Sequence, residues 1–470
     1  MKNFIAWGLR VSILLYALLH LLSAFFDQPI LLQLLSCTGI TLILFASLSI
    51  PIQKFKLPLF ILLAGIIILL LSDADFFSSF FRGMRRMQNV VGLLIVIPLI
   101  SWVLQEEPYI EDMMGVFHRM VNSSKKFYFT IASLAQILTY FLLFGSLTMM
   151  YQFVDIVLKN QQGEIWKRYK STAILRGYGL SALWVVTMPS FVVAVDTLGA
   201  SIYIAIAQGL GIAIVGMIIA VFFISFQERK HNVAITPILQ SEINNILQSA
   251  SDKKVQIRKV IEFFFLFFTL FGVIFSLHAI WDAPLMVLIS LVIIFWVIAF
   301  YIYKRRAYKL KSVAKQYVSE ELFKQTYQLS LMIVIGALIY ALDETSFAVH
   351  VVDGLNYMQE HLPWLNALYL LPLIVVLLGF IGLGPLTVMV LVAGILHSLA
   401  LPYPPELIVL AITSGSVISI ILSPVIMPLI IISSLNGLSL FTNGIKYNWK
   451  FCLVFFIVTQ IYIQFMVQFW

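Results

Sequence analysis

The sequence predicts an all-α polytopic membrane protein, with two inverted-topology repeats that contain interrupted helices or re-entrant hairpins, plus an extra N-terminal span. Three observations lead to this prediction. The composition is strongly apolar, short motifs recur in the two halves, and the charges that flank the two copies differ in character. The spans are expected to be helices, because a strand-built wall would show short alternating segments instead of continuous apolar runs.

The composition indicates a bilayer as the solvent. Of the 470 residues, 61% are hydrophobic and 11% are charged, and the mean hydropathy is +0.99. An ordinary soluble domain is about one quarter charged. Apolar runs of about 17 to 25 residues recur along the chain and predict roughly eleven to fifteen membrane-embedded segments. No stretch remains for a large soluble domain.

The charged and metal-ligating residues exclude several function classes. The net charge is +8, but the basic residues are scattered at the ends of apolar runs. This distribution indicates positive-inside bias and no nucleic-acid partner. Cys37 and Cys452 lie within or beside predicted spans, which argues against a disulfide framework. His20, His278 and His397 show no metal-ligand spacing, so neither a metal nor a cofactor is expected.

The distribution of basic loops predicts the topology. The N-terminus is expected to be cytoplasmic in a cell (inner) membrane, as are Arg229, Lys230 and residues 304–311, whereas Asp282 and Asp353 are expected outside. The first apolar run is too long for a typical cleaved signal and is interpreted as a retained span. The arginines of residues 82–86 fall on the outer face of this path. We interpret them as part of an interfacial amphipathic helix, the alternative being an error in the early topology.

An internal repeat is the most informative feature of the sequence. Each match is short, but the matches share a nearly constant offset of about half the chain. The matches are "GSLTMM" at Gly145 with "GPLTVM" at Gly384, "AILRGYGLS" at Ala173 with "AITSGSVIS" at Ala411, Pro189 with Pro428, and "GAS" at Gly199 with "GLS" at Gly437.

The flanking charges predict that the two copies face opposite ways. The linker "QQGEIWKRYK" of the first half is basic, whereas the equivalent "LALPYPPE" has no Lys or Arg. Opposite flanking charge is the signature of an inverted-topology repeat. We therefore divide the chain into an extra span at 1–28, a first repeat at 29–226, a cytoplasmic linker at 227–259 and a second repeat at 260–470.

Residues 176–190 and 413–424 contain Gly, Ser, Thr and Pro at corresponding places in the two halves. A helix interrupted inside the membrane frees backbone groups, which is tolerable only where they face protein, a ligand or a water-filled cavity. The sequence therefore predicts a substrate site at the interruptions. The candidate substrate-binding residues are Gly177, Gly179, Ser181, Thr187, Pro189, Ser190, Thr413, Ser414, Gly415, Ser416, Ser419, Ser423, Pro424 and Asn436.

Two charged residues complete the candidate site. Asp196 follows the first interruption and is the candidate for binding the coupling ion, because intramembrane carboxylates are costly and usually functional. The alternative is an outer-loop position. Arg176 is a candidate anion contact, with a snorkelling surface arginine as the alternative. For the glycines and serines, the alternative is close packing between helices.

The arrangement resembles the ion-transporter superfamily of secondary carriers, which includes dicarboxylate and citrate carriers and the large permease subunits of tripartite dicarboxylate systems. At the level of motifs the resemblance rests on residues 413–415, Ser423-Pro424 and "SSLNG" at 433–437, against Gly177, Gly179 and Pro189. It implies paired broken helices around a substrate. The Ser-Asn-Thr tripeptide of the sodium–dicarboxylate carriers does not occur in this sequence, so the coupling ion stays open between sodium and a proton.

The resulting hypothesis is a secondary active transporter, a cation-coupled carrier of a small organic anion that works by alternating access. The expected partners are the lipid bilayer, the anion and sodium or a proton, with a homodimer as a candidate assembly. Two alternatives remain. One is a membrane-embedded enzyme or flippase that acts on a lipid-linked substrate, with residues 106–120 as its candidate cleft. The other is a non-transporting assembly subunit.

Overall fold

The protein is all α-helical over the described residues. The computed structural model describes residues 2–26, 28–107, 109, 123–158, 163–231, 253–281, 283–361, 366–399 and 401–469, and it has no strand within them. Ten helical stretches there are long and apolar enough to cross a membrane, and two shorter apolar helices accompany them. These observations confirm the prediction of an all-α polytopic membrane protein.

The described residues form a series of helices. In chain order they are α1 (Lys2–Ser23), α2 (Pro29–Ser49), α3 (Ile52–Leu71), α4 (Phe76–Arg85), α5 (Gln88–Val96), α6 (Leu99–Gln105), α7 (Ser124–Leu142), α8 (Gly145–Val157), α9 (Glu164–Ser181), α10 (Pro189–Thr197), α11 (Ile202–His231), α12 (Lys253–Ile280), α13 (Leu285–Tyr303), α14 (Ala307–Gln316), α15 (Thr326–Asp343), α16 (Phe347–His361), α17 (Ala367–Phe380), α18 (Pro385–Leu399), α19 (Pro405–Leu422), α20 (Met427–Asn436) and α21 (Tyr447–Val467). Two π-helical turns, Tyr317–Glu321 and Thr442–Lys446, precede α15 and α21.

The chain forms two compact units, and each draws segments from both halves of the sequence. Unit 1 comprises Met1–Val103, Gly272–Leu365 and Val390–Leu401. Unit 2 comprises Leu104–Phe271, Asn366–Met389 and Pro402–Trp470. The linear repeat boundaries stay a prediction. Of the predicted linker, residues 232–252 lie outside the described residues, as does Asp282.

Small residues let the helices of unit 1 pack closely. A Cβ atom added at Gly83 of α4 would lie 3.0 Å from the Cα of Ala337, and one at Gly65 of α3 would lie 3.3 Å from the Cα of Leu338. Both helices therefore approach the backbone of α15, as is common for membrane helices.

The segment predicted to be an interfacial amphipathic helix forms α4. Asp75 caps the helix by accepting a hydrogen bond from the backbone N–H of Ser78 at 2.9 Å. One face, with Ser79 and Gly83, is buried in unit 1, while Phe77 is exposed. The helix thus has one buried face and one exposed face. Its position relative to a membrane stays a prediction.

Candidate functional site

Unit 2 contains two interrupted helices, one from each half of the chain. In the first half α9 ends at Ser181 and α10 begins at Pro189, and in the second half α19 ends at Leu422 and α20 begins at Met427. The helices before the interruptions have 18 residues each, and those after them have 9 and 10. Pro189 and Pro428 lie in the first turn after each interruption, where a missing N–H costs least.

The interruptions are shorter than the sequence predicts. Non-helical backbone covers residues 182–188 and 423–426, while the other residues of the two predicted segments are helical. Thr413 donates from Oγ1 to the carbonyl oxygen of Val409 at 2.7 Å, and Ser181 donates from Oγ to that of Tyr178 at 2.6 Å. Hydroxyl groups in a helix often bond back to the preceding turn in this way, so they need not mark a break. Ser414 does the same with Ala411 at 2.7 Å.

A hydroxyl group holds each interruption to an earlier helix. Thr187 donates from Oγ1 to the carbonyl oxygen of Tyr140 near the end of α7. Ser423 donates from Oγ to the carbonyl oxygen of Gly379 near the end of α17, at 2.9 Å. The last carbonyl groups of a helix have no partner within it. In both halves a hydroxyl group of the interrupted segment therefore bonds to a carbonyl group in the last turn of an earlier helix.

Gly177 and Gly415, which the repeat pairs, are both packing points. A Cβ atom at Gly177 would lie 2.4 Å from the carbonyl oxygen of Ala132 in α7, and one at Gly415 would lie 2.5 Å from that of Pro372 in α17. The open faces of both glycines are therefore filled by protein. At Gly179 a Cβ atom would lie 2.8 Å from the side chain of Ile421, so the two interrupted helices touch each other there.

Unusual backbone angles also occur in pairs. Leu143 after α7 has φ of 46° and Gly382 after α17 has φ of 105°. Gly199 after α10 and Gly437 after α20 have φ of 66° and 69°. Glycine tolerates positive φ without the Cβ clash that other residues meet, which explains three of these four identities. Leu143 occupies the fourth position against that preference.

An acidic residue in the first turn of each interrupted helix contacts a segment from the other half of the chain. Glu164 at the start of α9 accepts hydrogen bonds from the hydroxyl of Tyr447 at 2.9 Å and from Nζ of Lys446 at 3.2 Å. Glu406 in the first turn of α19 accepts one from the backbone N–H of Ser201 at 2.8 Å. Each carboxylate therefore contacts the segment that follows the other interrupted helix. Glu164 is exposed at this contact, whereas Glu406 is 8% exposed.

Arg176 lies in the interior of unit 2, at 1% exposure, and not at a surface. Its guanidinium donates to Oδ1 of Asn448 at 2.8 Å, to the hydroxyl of Tyr128 at 3.2 Å and to the carbonyl oxygen of Tyr447 at 3.3 Å. It also lies over the ring of Phe451, 4.5 Å from its centroid. Within the described part of the chain no carboxylate forms an ion pair with it. A guanidinium stays charged in proteins, so this positive charge is held by neutral groups.

Among the residues that the structure describes, three buried polar atoms of α10, α11 and α19 lack a hydrogen-bond partner. They are Oγ of Ser190, Oγ of Ser416 and Oε1 of Gln208. Ser190 is 3% exposed and lies in the first turn of α10, where the N-cap residue provides no side-chain cap. Next to Gln208, a Cβ atom at Gly209 would lie 1.9 Å from the carbonyl oxygen of Leu183, so α11 packs directly on the first interruption. Buried unpartnered polar atoms are costly and call for a ligand or water.

The remaining predicted residues lie in the second interruption or in the helices that flank the two interruptions. Asp196 lies in the last turn of α10, and Pro424 lies within the second interruption. Ser419 fills the space over Gly379, where a Cβ atom would be 1.7 Å from its Oγ. The amide of Asn436 pairs with that of Asn443, with N···O distances of 2.7 and 3.0 Å. This reciprocal pair occupies the polar groups of Asn436.

Glu406, Gln208 and Asn448 were not predicted to belong to this region. Glu406 follows two prolines at a helix start, where an acidic residue is an ordinary complement to the helix dipole. Gln208 lies in apolar surroundings, whereas Asn448 lies between Lys446 and Lys450. A search for single polar residues inside apolar spans is the signal that could have identified Gln208.

The candidate cleft of the enzyme alternative lies largely outside the described residues. Of residues 106–120, the structure describes 106, 107 and 109. Glu107 pairs with Lys259 at 2.6 Å and Tyr109 donates to Glu262 at 2.8 Å. In the described ranges no group of three or more His, Cys, Asp or Glu side chains could hold a metal ion.

Comparison with known proteins identifies no family. No family model matches the chain, and no curated protein matches it. The function is therefore inferred from the residues of unit 2.

Proposed function

We propose that the protein is a secondary active transporter of the cell (inner) membrane, a cation-coupled carrier of a small organic anion that works by alternating access. The observation that carries this proposal is the pair of interrupted helices, α9–α10 and α19–α20, that touch at Gly179 and Ile421, each beginning beside the segment that follows the other. Discontinuous helices that meet across an inverted repeat form the substrate sites of many secondary transporters. The reciprocal contacts of Glu164 and Glu406 support such a repeat, with a pseudo-two-fold axis in the membrane plane.

The first interruption suits an anion. The N-terminus of α10 carries the positive end of the helix dipole, and the unpartnered hydroxyl of Ser190 lies there. Arg176 lies five residues before the end of α9, and within the described residues no carboxylate forms an ion pair with it. A carboxylate-bearing substrate would therefore gain hydrogen bonds and find little negative charge at the interruption.

We assign the coupling cation to the carboxylate of Asp196, near the C-terminal end of α10. Asp196 lies in the last turn of α10, where the helix dipole disfavours a negative charge. Binding of sodium or a proton would relieve that opposition. Two events, anion binding at the start of α10 and cation binding at its end, would then act on one nine-residue helix.

The test is a protection and uptake assay. Acetate, succinate and citrate are screened for a rise in the thermal midpoint of the purified protein, with and without sodium and at two pH values. The anion that protects is then offered to reconstituted vesicles under a sodium or proton gradient. Absence of both protection and gradient-driven uptake for all three anions contradicts the proposal.

A matched pair of variants locates the site. Ser190→Ala removes the unpartnered hydroxyl and is expected to raise the KM for uptake about tenfold, the value of one lost hydrogen bond to a charged group. Ser434→Ala is the control, because Ser434 is exposed and donates to its own helix at Ile431. Equal KM values in the two variants would indicate that the substrate does not bind at the first interruption.

A further inference from the structure

A basic segment directly follows the span α13. Between Lys304 and Lys315 the chain has six basic residues and no acidic one. The span itself has 19 residues and a mean hydropathy of 2.9. The positive charges therefore begin where the hydrocarbon is expected to end, at the level of the lipid headgroups.

The helix α14 within this segment has no buried residue. Tyr308, Lys311 and Lys315 are exposed and lie three and four positions apart, and Tyr308 is 74% exposed. Residues at this spacing share one face of a helix. Lysine and tyrosine are the residue types that membrane proteins place at the membrane–water boundary.

Arg305 connects α13 to this segment and has an unfavourable backbone conformation. Its φ is 54°. The backbone N–H of Arg306 bonds to the carbonyl of Tyr301 at 2.8 Å and that of Arg305 to Ile302 at 2.9 Å, which is the Schellman ending of a helix. Glycine is the residue that fits this position without strain. Because an exposed arginine occupies it, its side chain is expected to serve a purpose other than the turn.

We propose that Arg305 and the exposed face of α14 form a docking surface for the headgroups of anionic phospholipids in the leaflet where α13 ends. A guanidinium binds a phosphate with two parallel hydrogen bonds, and lysines add point charges. Basic clusters next to a span are attracted to anionic lipid within about one Debye length. This surface belongs to unit 1 and does not depend on the proposed transport activity.

The experiment measures lipid binding to the full-length protein. Detergent-solubilised protein is titrated with phosphatidylglycerol or with phosphatidylcholine, and retained lipid is counted by native mass spectrometry. The wild-type protein is expected to retain phosphatidylglycerol preferentially. Lys311→Gln/Lys315→Gln is expected to weaken this binding about fivefold for each removed charge. Equal retention of the two lipids, or unchanged binding in the variant, overturns the proposal.

The variant Arg305→Gly tests lipid binding separately from the stability of the fold. Glycine suits the positive φ, so this variant is expected to keep or raise the thermal midpoint while losing about fivefold in phosphatidylglycerol binding. A variant that binds the lipid as the wild type does contradicts the role of Arg305.

Two controls test the alternatives. Lys54→Gln/Lys56→Gln removes the same charge from exposed positions elsewhere in unit 1. An equal loss of binding in that variant would indicate a general charge effect and overturn a specific surface. Displacement of the lipid by millimolar inorganic phosphate would indicate a site for free anions and would also overturn the proposal.

Discussion

Ser201 and Glu406 join the two halves of unit 2, since the backbone N–H of Ser201 donates to Oε1 of Glu406 at 2.8 Å. The carboxylate is buried and lies in the first turn of α19, while Ser201 immediately precedes α11. The N-terminal ends of both helices therefore favour its negative charge.

Removal of this carboxylate is expected to destabilise unit 2. Glu406→Ala leaves the N–H of Ser201 unpaired and should lower the free energy of unfolding by about 1.5–3 kcal/mol. Glu406→Gln should lower it less, because the amide oxygen still accepts the hydrogen bond. Thermal unfolding in detergent measures both. Glu164→Ala, at the exposed counterpart, serves as control, and an equal effect there would argue against the importance of burial.

Asp196 is expected to control ion dependence and not binding of the anion. Asp196→Asn keeps the size of the side chain but cannot lose a proton or neutralise sodium. Uptake into reconstituted vesicles is therefore expected to persist with a changed dependence on pH or on sodium. An unchanged ion dependence would mean that the coupling residue lies elsewhere.

Gly177 and Gly415 are expected to act through packing. Gly177→Ala and Gly415→Ala place a methyl group against the backbone of a neighbouring helix and should each lower the free energy of unfolding by about 1–3 kcal/mol. Gly211→Ala is the control within α11, since no atom lies within 4 Å of the added methyl group. It should raise stability by up to about 1 kcal/mol. Equal effects of the three substitutions would contradict the close contacts.

The topology predicts that Arg305 and Asp353 face opposite sides of the membrane. The span α15 separates them in the chain. Single cysteines at these positions, in a background that lacks Cys37 and Cys452, are labelled from one side with an impermeant maleimide. Arg305→Cys is expected to react from the cytoplasm and Asp353→Cys from the other side. Labelling of both from one side would refute the path.

Glu164 is expected to give a small acid-dependent contribution to stability. Hydrogen bonds from the hydroxyl of Tyr447 and then from Lys446 hold the pKa of Glu164 below its usual range. A lowered pKa stabilises the folded protein above the unfolded value of about 4.3, and this contribution is lost as the pH falls through the folded value. Glu164→Gln should therefore reduce the fall of the thermal midpoint on acidification. An unchanged response of the thermal midpoint to acid in Glu164→Gln would contradict this contribution.

The positions of the interruptions could be predicted from sequence, but the contacts that the neighbouring residues make could not. Pro189 and the second-half prolines mark where a helix must stop, because the ring removes a hydrogen-bond donor. The repeat pairs Gly177 with Gly415, and the structure gives both the same kind of contact. However, α7 and α17 fill the space beside the two glycines. A bulky substitution such as Gly415→Leu would therefore disturb helix packing and is a poor probe of substrate binding.

Contacts distant in sequence explain what sequence reasoning missed. The neighbours of Arg176 in the chain, which are the only context that a sequence provides, indicate a position near a membrane boundary. Its position in the interior depends on Asn448, 272 residues later. The neighbours of Glu406 likewise indicate an outer linker, because its partner Ser201 lies 205 residues earlier.

The distance between Arg176 and Asn448 also bears on how the protein is made. A ribosome adds about 5–20 residues per second, so the partner of the guanidinium emerges on the order of tens of seconds after the arginine itself. During that interval Arg176 has Tyr128 but neither Asn448 nor Tyr447 as a partner. It is therefore expected to remain in water, at the bilayer surface or beside the insertion machinery, because an incompletely paired arginine in lipid is unfavourable. Insertion of α9 is therefore expected to be completed only when α21 arrives, and a stalled chain that lacks α21 should be a preferred substrate for membrane quality-control proteases.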